Sequence, residues 1–310
     1  MGRYLTVRLF QGLLVILLIS VATFVIMRLL PGDPVRLLLG EGEVRISQEQ
    51  IEAIKHRWGL DRPYHEQYFV WLGNMLTGDF GDSLIRTGTP VRQMIFEAIP
   101  VTFRLNLYAL VVSLAVAIPA GILAAVKRNS IFDYAATIGS TFGVAVPNFW
   151  ISLMAIVVFA LLLRWVPPFG LRSPKGYILP VLVLATEQTA VIARVMRSGT
   201  IEVLEEDYVR TARAKGLNER VVIVNHAVRN ALLPVVTVIG VRIAFILSGT
   251  IVVETVFALP GIGRLFTDSV FRLDYQVVQS IVFLLSVIVV VVNLLTDLVY
   301  AFIDPRIRIE

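Results

Sequence analysis

Long apolar runs separated by polar connections dominate the hydrophobic pattern of this chain. The first run extends from Leu9 to Met27 without a charge. Its length is close to the roughly 20 residues with which a helix crosses the hydrocarbon core of a bilayer. Further runs lie at about 105–126, 134–163, 176–193, 231–253 and 275–303. The pattern predicts an all-α, polytopic membrane protein with six transmembrane helices.

The composition supports this class, since 56% of the residues are hydrophobic, 16% are charged and the mean hydropathy is +0.77. The net charge of +5 comes from basic residues spread through the connections, with no compact basic domain that would indicate nucleic-acid binding. There is no cysteine, and the three histidines lie outside the apolar runs. We therefore expect no catalytic site, no metal site and no cofactor, so the chain is not predicted to be an enzyme.

The distribution of Lys and Arg predicts the orientation in the membrane. Thirteen basic residues fall in the N-terminus, the second-to-third connection, the fourth-to-fifth connection and the tail, against five in the short connections of the other side. Because basic connections tend to stay in the cytoplasm, both termini are predicted to be cytoplasmic. The expected domains are residues 1–30 with the first span, the external helical subdomain 31–98, spans two to six within 99–304, and the cytoplasmic tail 305–310.

The long external segment 31–98 carries signals for helices. Ser47 with Gln50 forms a capping box, and Gly59 ends the helix that this box would start. Thr89-Pro90 indicates another helix start. We expect these helices to form an outward-facing cap.

Charges within the predicted spans indicate functional or paired residues, and prolines within them indicate bends. Glu187 and Arg242 are charges deep within the apolar runs, and an intramembrane ionisable group is a functional hypothesis by default. They either form an ion pair with each other or with a sister subunit, or line a pathway for a zwitterionic substrate. Spans that contain proline are expected to kink. The prolines concerned are Pro119, Pro147, Pro180 and Pro234.

The connection at 198–230 has the periodicity of a folded element. One apolar stripe consists of Ile201, Leu204, Tyr208 and Ala212, and a second consists of Leu217, Val221, Val224 and Val228. Between them Gly216 is expected to end a helix, and Glu206 is expected to pair with Arg210 on the polar face. The pattern predicts helix, glycine turn and helix with the apolar residues inward, which suits a docking element.

An amphipathic helix on the lipid surface would produce a similar pattern. Acidic residues disfavour this alternative, because an anionic leaflet repels them. They are Glu202, Glu205, Glu206, Asp207 and Glu219.

Two motifs in this connection carry a family resemblance: YVRTARAKGL at 208–217 and HAVRNALLP at 226–234. They resemble the cytoplasmic loop of ABC importer permeases in its dipeptide, oligopeptide and nickel version, and the B-type subunit of dipeptide permeases in particular. The wider superfamily begins this loop with Glu-Ala-Ala. Here Arg210-Thr211-Ala212 occupies that position, and only Ala212 and Gly216 match the wider pattern.

The resemblance extends over nearly the whole chain. Its other motifs are RLLPGDP at 28–34, GDFGDS at 78–83, ETVFALPGIG at 254–263, DYQVVQ at 274–279 and DPR at 304–306. Each is weak alone, since Pro and Gly mark turns in any protein. Together they identify the family.

The resemblance implies the type I ABC importer fold in the cell membrane, with the chain as one permease subunit. Its implied partners are a second homologous permease subunit, two cytoplasmic ATPases, an external solute-binding protein and a peptide substrate. The chain has no G-x-x-x-x-G-K-[ST] phosphate loop of its own. The residues expected to couple it to the ATPase are Arg210, Thr211, Ala212, Arg213, Lys215, Gly216 and Leu217.

Two alternatives remain open from the sequence. Nickel or another small solute such as glutathione would suit a permease of the same family. A secondary transporter or channel would be a different class, for which we expect internal repeats and several buried acids.

The predicted orientation leads to a labelling experiment. Tags at Gly2 and Glu310 should be protected from membrane-impermeant reagents in intact cells, whereas a cysteine introduced at Gly42 should be labelled, because the native chain has no cysteine to interfere. Labelling of both termini from outside would show that the orientation is the opposite of the predicted one.

Overall fold

The computed structural model describes residues 2–29, 52, 61–86, 88–244 and 250–303, except for the side chains of 2–5, 241–244 and 297–303. Within this part the only strand-like pairing is an isolated antiparallel bridge between Asp82 and Pro90. The predicted all-α class is therefore confirmed. The chain divides into two compact units, one formed by Met1–Pro100 with Gly261–Glu310 and the other by Val101–Pro260.

The described part of the chain is mostly helical. In chain order the helices are α1 (Gly2–Leu29), α2 (Tyr64–Thr77), α3 (Val91–Val126), α4 (Ile131–Ala145), α5 (Asn148–Ala155), α6 (Ile178–Leu204), α7 (Asp207–Ala214), α8 (Arg229–Ala244), α9 (Ile251–Val256), α10 (Ile262–Phe271) and α11 (Tyr275–Ile303). A π-helical turn continues α5 over Ile156–Leu162, and a 3₁₀ turn at Pro174–Tyr177 precedes α6. One α-helical turn at Glu219–Val221 and a π-helical turn at Val222–Val228 precede α8.

Several of these helices are long and apolar enough to cross a bilayer, which confirms a multi-pass membrane protein. The stretches are Thr6–Leu29, Val91–Val126, Pro174–Leu204, Glu219–Gly240 and Tyr275–Thr296. The pair Ile131–Ala145 and Asn148–Leu162, bent by 101°, adds a sixth span only if it crosses as one. The described residues thus contain five or six candidate spans.

The helix bounds differ from the apolar runs in instructive ways. α3 begins at Val91 and α6 continues to Leu204, because a helix retains its backbone hydrogen bonds where its side chains become polar. The predicted run 231–253 is not one helix, since α9 begins after its own N-cap residue, Thr250.

The prolines act differently according to their place in a helix. Pro147 lies at the 101° break and is the N-cap residue of α5, so a sharp bend is confirmed there. Pro180 is in the first turn of α6, where a missing N–H costs nothing. Pro119 and Pro234 lie inside α3 and α8, which continue past them as helices.

In the first unit, α2 is fastened to two membrane spans. Trp71 packs between Phe24 of α1 and Phe283 of α11, with ring centroids 6.0 and 6.1 Å away. A 2.8 Å hydrogen bond joins the hydroxyls of Tyr68 and Ser20. These contacts place α2 alongside the spans α1 and α11.

The helix signals predicted for 31–98 are partly within the described residues. The capping box of Ser47 and Gln50 and the stop at Gly59 lie outside them, as do the motif segments 30–34 and 304–306. The start at Thr89-Pro90 is present, but the helix that begins at Val91 is the long α3 itself. A separate external helix is therefore not formed there, because the apolar periodicity continues into the span.

Two sequence motifs that lie far apart in the chain meet in the first unit. The Ser83 hydroxyl donates to Asp274 Oδ2, and the backbone N–H of Leu84 donates to Asp274 Oδ1 at 3.2 Å. Asp274 is 2% exposed and immediately precedes α11. The motifs at 78–83 and 274–279 therefore form one polar contact.

The second unit is built around α6, which buries residues along its whole length. Small residues allow this close packing. A Cβ added to Gly121 of α3 would lie 2.7 Å from the Ala193 carbonyl oxygen, and one at Gly143 of α4 would lie 2.9 Å from Ala190 Cβ. On the other side, Gly199 of α6 faces the Ala231 carbonyl of α8.

Helix α4 has a buried side and an exposed side of different composition. Its buried side is polar or small, namely Asp133, Ser140 and Gly143, whereas Ile138 and Phe142 are exposed. Large apolar side chains outward and small residues at helix contacts are the arrangement expected in lipid.

The close approach of α3 to α6 predicts that a larger side chain at the contact destabilises the protein. Gly121→Ala should destabilise the purified protein by about 1–3 kcal/mol, because the added methyl group meets backbone atoms that cannot yield. Gly139→Ala on α4 is the matched control, since a Cβ there meets nothing within 4 Å, and we expect it to be neutral or stabilising. Thermal unfolding in detergent measures both, and equal melting temperatures for the two variants would contradict the packing argument.

Candidate coupling site

The connection between α6 and α8 folds as two short helical pieces around a glycine. α6 ends at Leu204, and α7 begins after Glu206, whose extended backbone (φ −70°, ψ 146°) makes it the N-cap residue. The predicted first stripe therefore spans two helices, and Tyr208 in it is 42% exposed. We refer to residues 205–228 as the coupling segment.

Gly216 ends α7 as the sequence predicts. Its φ is +78°, in the left-handed region that suits glycine. The Gly216 N–H donates to the Arg213 carbonyl at 2.9 Å, and the Leu217 N–H donates to the Ala212 carbonyl at 3.4 Å. This pair of bonds is the Schellman ending of a helix.

A small apolar cluster holds the two pieces together. Val209 and Ala212 of α7 pack with Val222, and all three are at most 5% exposed. The predicted second stripe is wrong in phase, because Leu217, Val221 and Val224 are exposed while Val222 and Ala227 are buried. The reason is the π-helical turn, in which residues five apart share a face.

Charged residues brace the turn from outside. Arg213 donates to both carboxylate oxygens of Glu219, at 3.1 Å from Nε and 2.7 Å from Nη2. This hydrogen bond raises the pKa of Arg213 above its ordinary value. Both side chains are about half exposed, so the pair fixes geometry more than it adds stability.

The expected pair of Glu206 with Arg210 is replaced by another. Arg210 Nη1 lies 3.5 Å from Asp207 Oδ1, because Glu206 is outside the helix and its side chain is not one turn below Arg210. A bond that the sequence did not indicate joins the segment to α8, where the Asn230 amide donates to Tyr208 Oη at 2.7 Å. The coupling segment is thus bonded to α8, which follows it, as well as joined to α6, which precedes it.

Two protein-family comparisons together cover nearly the whole chain. Residues 117–309 match the family described as binding-protein-dependent transport system inner membrane component, and residues 1–106 match the N-terminal part of such membrane components. The chain belongs to this family. Among described groups of His, Asp and Glu in this permease, none of three or more is arranged to hold a metal ion.

Curated relatives cover the permease from end to end. It is 41% identical over 318 residues to the oligopeptide transport system permease protein AppB of Bacillus subtilis (strain 168), covering 99% of this chain and 100% of AppB. It is 39% identical over 310 residues to the dipeptide transport system permease protein DppB of the same organism, covering 100% of this chain and 99% of DppB. Both relatives are transport permeases by name.

The predicted coupling residues differ in exposure: one is buried and the others lie on the surface. Ala212 is 5% exposed and packs inside the coupling segment, so it does not offer its small side chain to a partner. The others lie on the surface in one continuous stretch. They are Arg210, Thr211, Arg213, Lys215, Gly216 and Leu217.

Buried and half-buried acidic groups lie outside the apolar runs as well as within them. Glu187 accepts a 3.2 Å hydrogen bond from Asn148, the first residue of α5 after the bend. The side chain of Arg242 lies outside the described residues, so pairing of Glu187 with Arg242 stays a prediction. Glu254 is wholly buried and accepts from Thr102 at 2.7 Å and Thr250 at 2.9 Å. The sequence showed Glu254 only as part of a loop motif.

An ion pair was missed as well. Arg197 of α6 binds Asp133 of α4 through two hydrogen bonds of 2.6 and 3.0 Å. Both residues lie at the polar ends of apolar runs, where a sequence pattern suggests interfacial charges. Their complementary charge was the only available signal.

The small cluster under α7 predicts a local effect of side-chain size. Ala212→Leu should overfill the space beside Val209 and Val222 at a cost of about 1–3 kcal/mol. Trypsin should then cut several times faster within 207–220. Ala214→Leu, exposed on the same helix, is the control and should be cut at the parental rate. Equal cleavage of the two variants would contradict this packing.

Proposed function

We propose that this permease is one transmembrane subunit of an ATP-driven importer of dipeptides or oligopeptides. The names of the full-length relatives support a peptide substrate over nickel. The partners would be a second homologous permease subunit, two cytoplasmic ATPases that hydrolyse ATP, and an external solute-binding protein. Both termini and the coupling segment would face the cytoplasm, as the charge distribution indicates.

The observation that carries the mechanism is the construction of the coupling segment. Its surface presents Arg210, Lys215 and Leu217, while Val209 and Val222 fill its interior. A buried cluster with a closed turn behaves as a small folded knob. Such a folded knob would move as one piece and pass the movement of a partner on to the spans, whereas an extended, unfolded connection would not.

The two ends of the coupling segment connect it to the spans. It follows directly on α6 and leads directly into α8, and the bond between Asn230 and Tyr208 supports the second connection. When two bound ATPases close, the knob would move and carry α6 and α8 with it. ATP binding and hydrolysis would thereby shift the permease between two states of its pathway.

The surface residues would divide their roles. The ammonium group of Lys215 forms no hydrogen bond or ion pair within the described part of the chain, and the Arg210 guanidinium makes only a long, exposed contact with Asp207. These two cations would meet acidic groups on the ATPase. Arg213 is engaged with Glu219, so its task would be to keep the turn closed. Glu187 and Arg242 remain candidates for an ion pair or for the pathway.

Substitution of Gly216 tests the proposal. A Cβ at Gly216 meets nothing within 4 Å, so a replacement there is limited by backbone conformation and not by space. Gly216→Val should therefore cost about 1–2 kcal/mol in this turn and distort it. Gly216→Asn is the matched control, because asparagine tolerates the left-handed region.

The readouts are the amount of ATPase that copurifies and the ATP hydrolysis stimulated by peptide-loaded binding protein in vesicles. We expect normal membrane insertion of both variants, loss of both readouts for Gly216→Val, and near-parental values for Gly216→Asn. Parental values for Gly216→Val would favour a helix on the lipid surface over a coupling element.

A further inference from the structure

A bidentate ion pair joins the start of α4 to the last part of α6 within the second unit. Arg197 donates from Nε to Asp133 Oδ1 at 2.6 Å and from Nη2 to Oδ2 at 3.0 Å. The side chain of Asp133 is 5% exposed and that of Arg197 is 28% exposed. A planar guanidinium that faces a carboxylate in this way fixes orientation as well as distance.

The same carboxylate holds the turn between α3 and α4. Asp133 Oδ2 accepts a 3.0 Å hydrogen bond from the backbone N–H of Asn129, whose φ is +58°. The neighbouring Arg128 lies 3.6 Å from Glu205, the first residue of the coupling segment. The turn is therefore attached to α6 by a buried pair and to the coupling segment by an exposed pair.

Contacts farther along show that α4 follows α6 in an antiparallel direction. Asp133 near the start of α4 meets Arg197 near the end of α6, while Gly143 near the end of α4 meets Thr186 and Ala190. The contact at Gly143 is a van der Waals contact, which is less directional than a hydrogen bond. The ion pair supplies the directional bond at the end of α6 that leads to the coupling segment.

We infer that Asp133 and Arg197 are positioning residues for coupling, which make α4 and the α3–α4 turn move together with α6. This inference rests on the proposed function of the coupling segment. Without the pair, α6 follows the ATPases while α4 lags behind it. ATP is then hydrolysed with less transport of peptide.

The test uses the complete importer in vesicles and measures peptide transported per ATP hydrolysed. Asp133→Asn and Arg197→Lys should each lower this ratio about tenfold, within the usual range of coupling between sites. The amount of copurified ATPase should stay at the parental level. Arg194→Lys is the control on the same helix, where the arginine is exposed, and it should leave the ratio unchanged.

A purely structural role gives a different result. A pair that serves only assembly would lower transport and ATP hydrolysis together and leave their ratio at the parental value, which would overturn the inference.

A tether provides the second measurement. The permease has no native cysteine, so Asp133→Cys with Arg197→Cys can be bridged by a short bifunctional thiol reagent. The reduced double variant should transport little peptide per ATP, and bridging should restore much of the ratio. An unchanged ratio after complete bridging would overturn the inference.

The outcomes separate this inference from the proposed function. If Gly216→Val uncouples the importer while Asp133→Asn does not, the coupling segment retains its role and the positioning pair does not. If Gly216→Val couples normally, the proposed role of the coupling segment is contradicted, whatever the result for Asp133→Asn.

Discussion

Close packing of small residues against α6 is the constraint on which the second unit depends. In lipid, helices gain nothing from hiding apolar surface, so contact area and polar bonds must hold them together. Gly121 and Gly143 let α3 and α4 approach the backbone of α6, and Gly199 lets α6 approach α8. Because α6 touches all three, the positions of α3, α4 and α8 depend on that of α6.

The contacts that hold α6 differ from those that hold the coupling segment. Where α6 packs on its neighbours, backbone contacts and buried side chains resist movement, whereas the coupling segment is held by a cluster of three small apolar residues, the Schellman turn and a partly exposed ion pair. Elements with few buried contacts open at lower free energy than a packed core. The coupling segment is therefore expected to open at lower free energy than the packed part of α6.

The sequence predicted features that depend on local pattern and missed those that depend on distant partners. Span length, the ending of a helix at Gly216 and the bend at Pro147 each follow from a few neighbouring residues. The phase of 217–228 could not be predicted, because a π-helical turn changes the period without a composition signal. The bonds of Arg197 with Asp133 and of Thr102 with Glu254 connect residues 64 and 152 positions apart, and periodicity in one sequence contains no information on such pairs.

The bend at Pro147 gains a mechanical meaning from the contacts on either side of it. α6 holds the start of α4 through Arg197 and Asp133, and it holds the first residue after the bend through Glu187 and Asn148. The proline lacks the N–H that would donate a helical hydrogen bond between these two attachments, so the backbone ladder does not fix the angle between α4 and α5. Movement of α6 would then reach α5 through Glu187 and α4 through Arg197. Because α6 is bonded on both sides of the bend, the angle between α4 and α5 depends on the position of α6, and Glu187 beside the bend has a structural partner in Asn148.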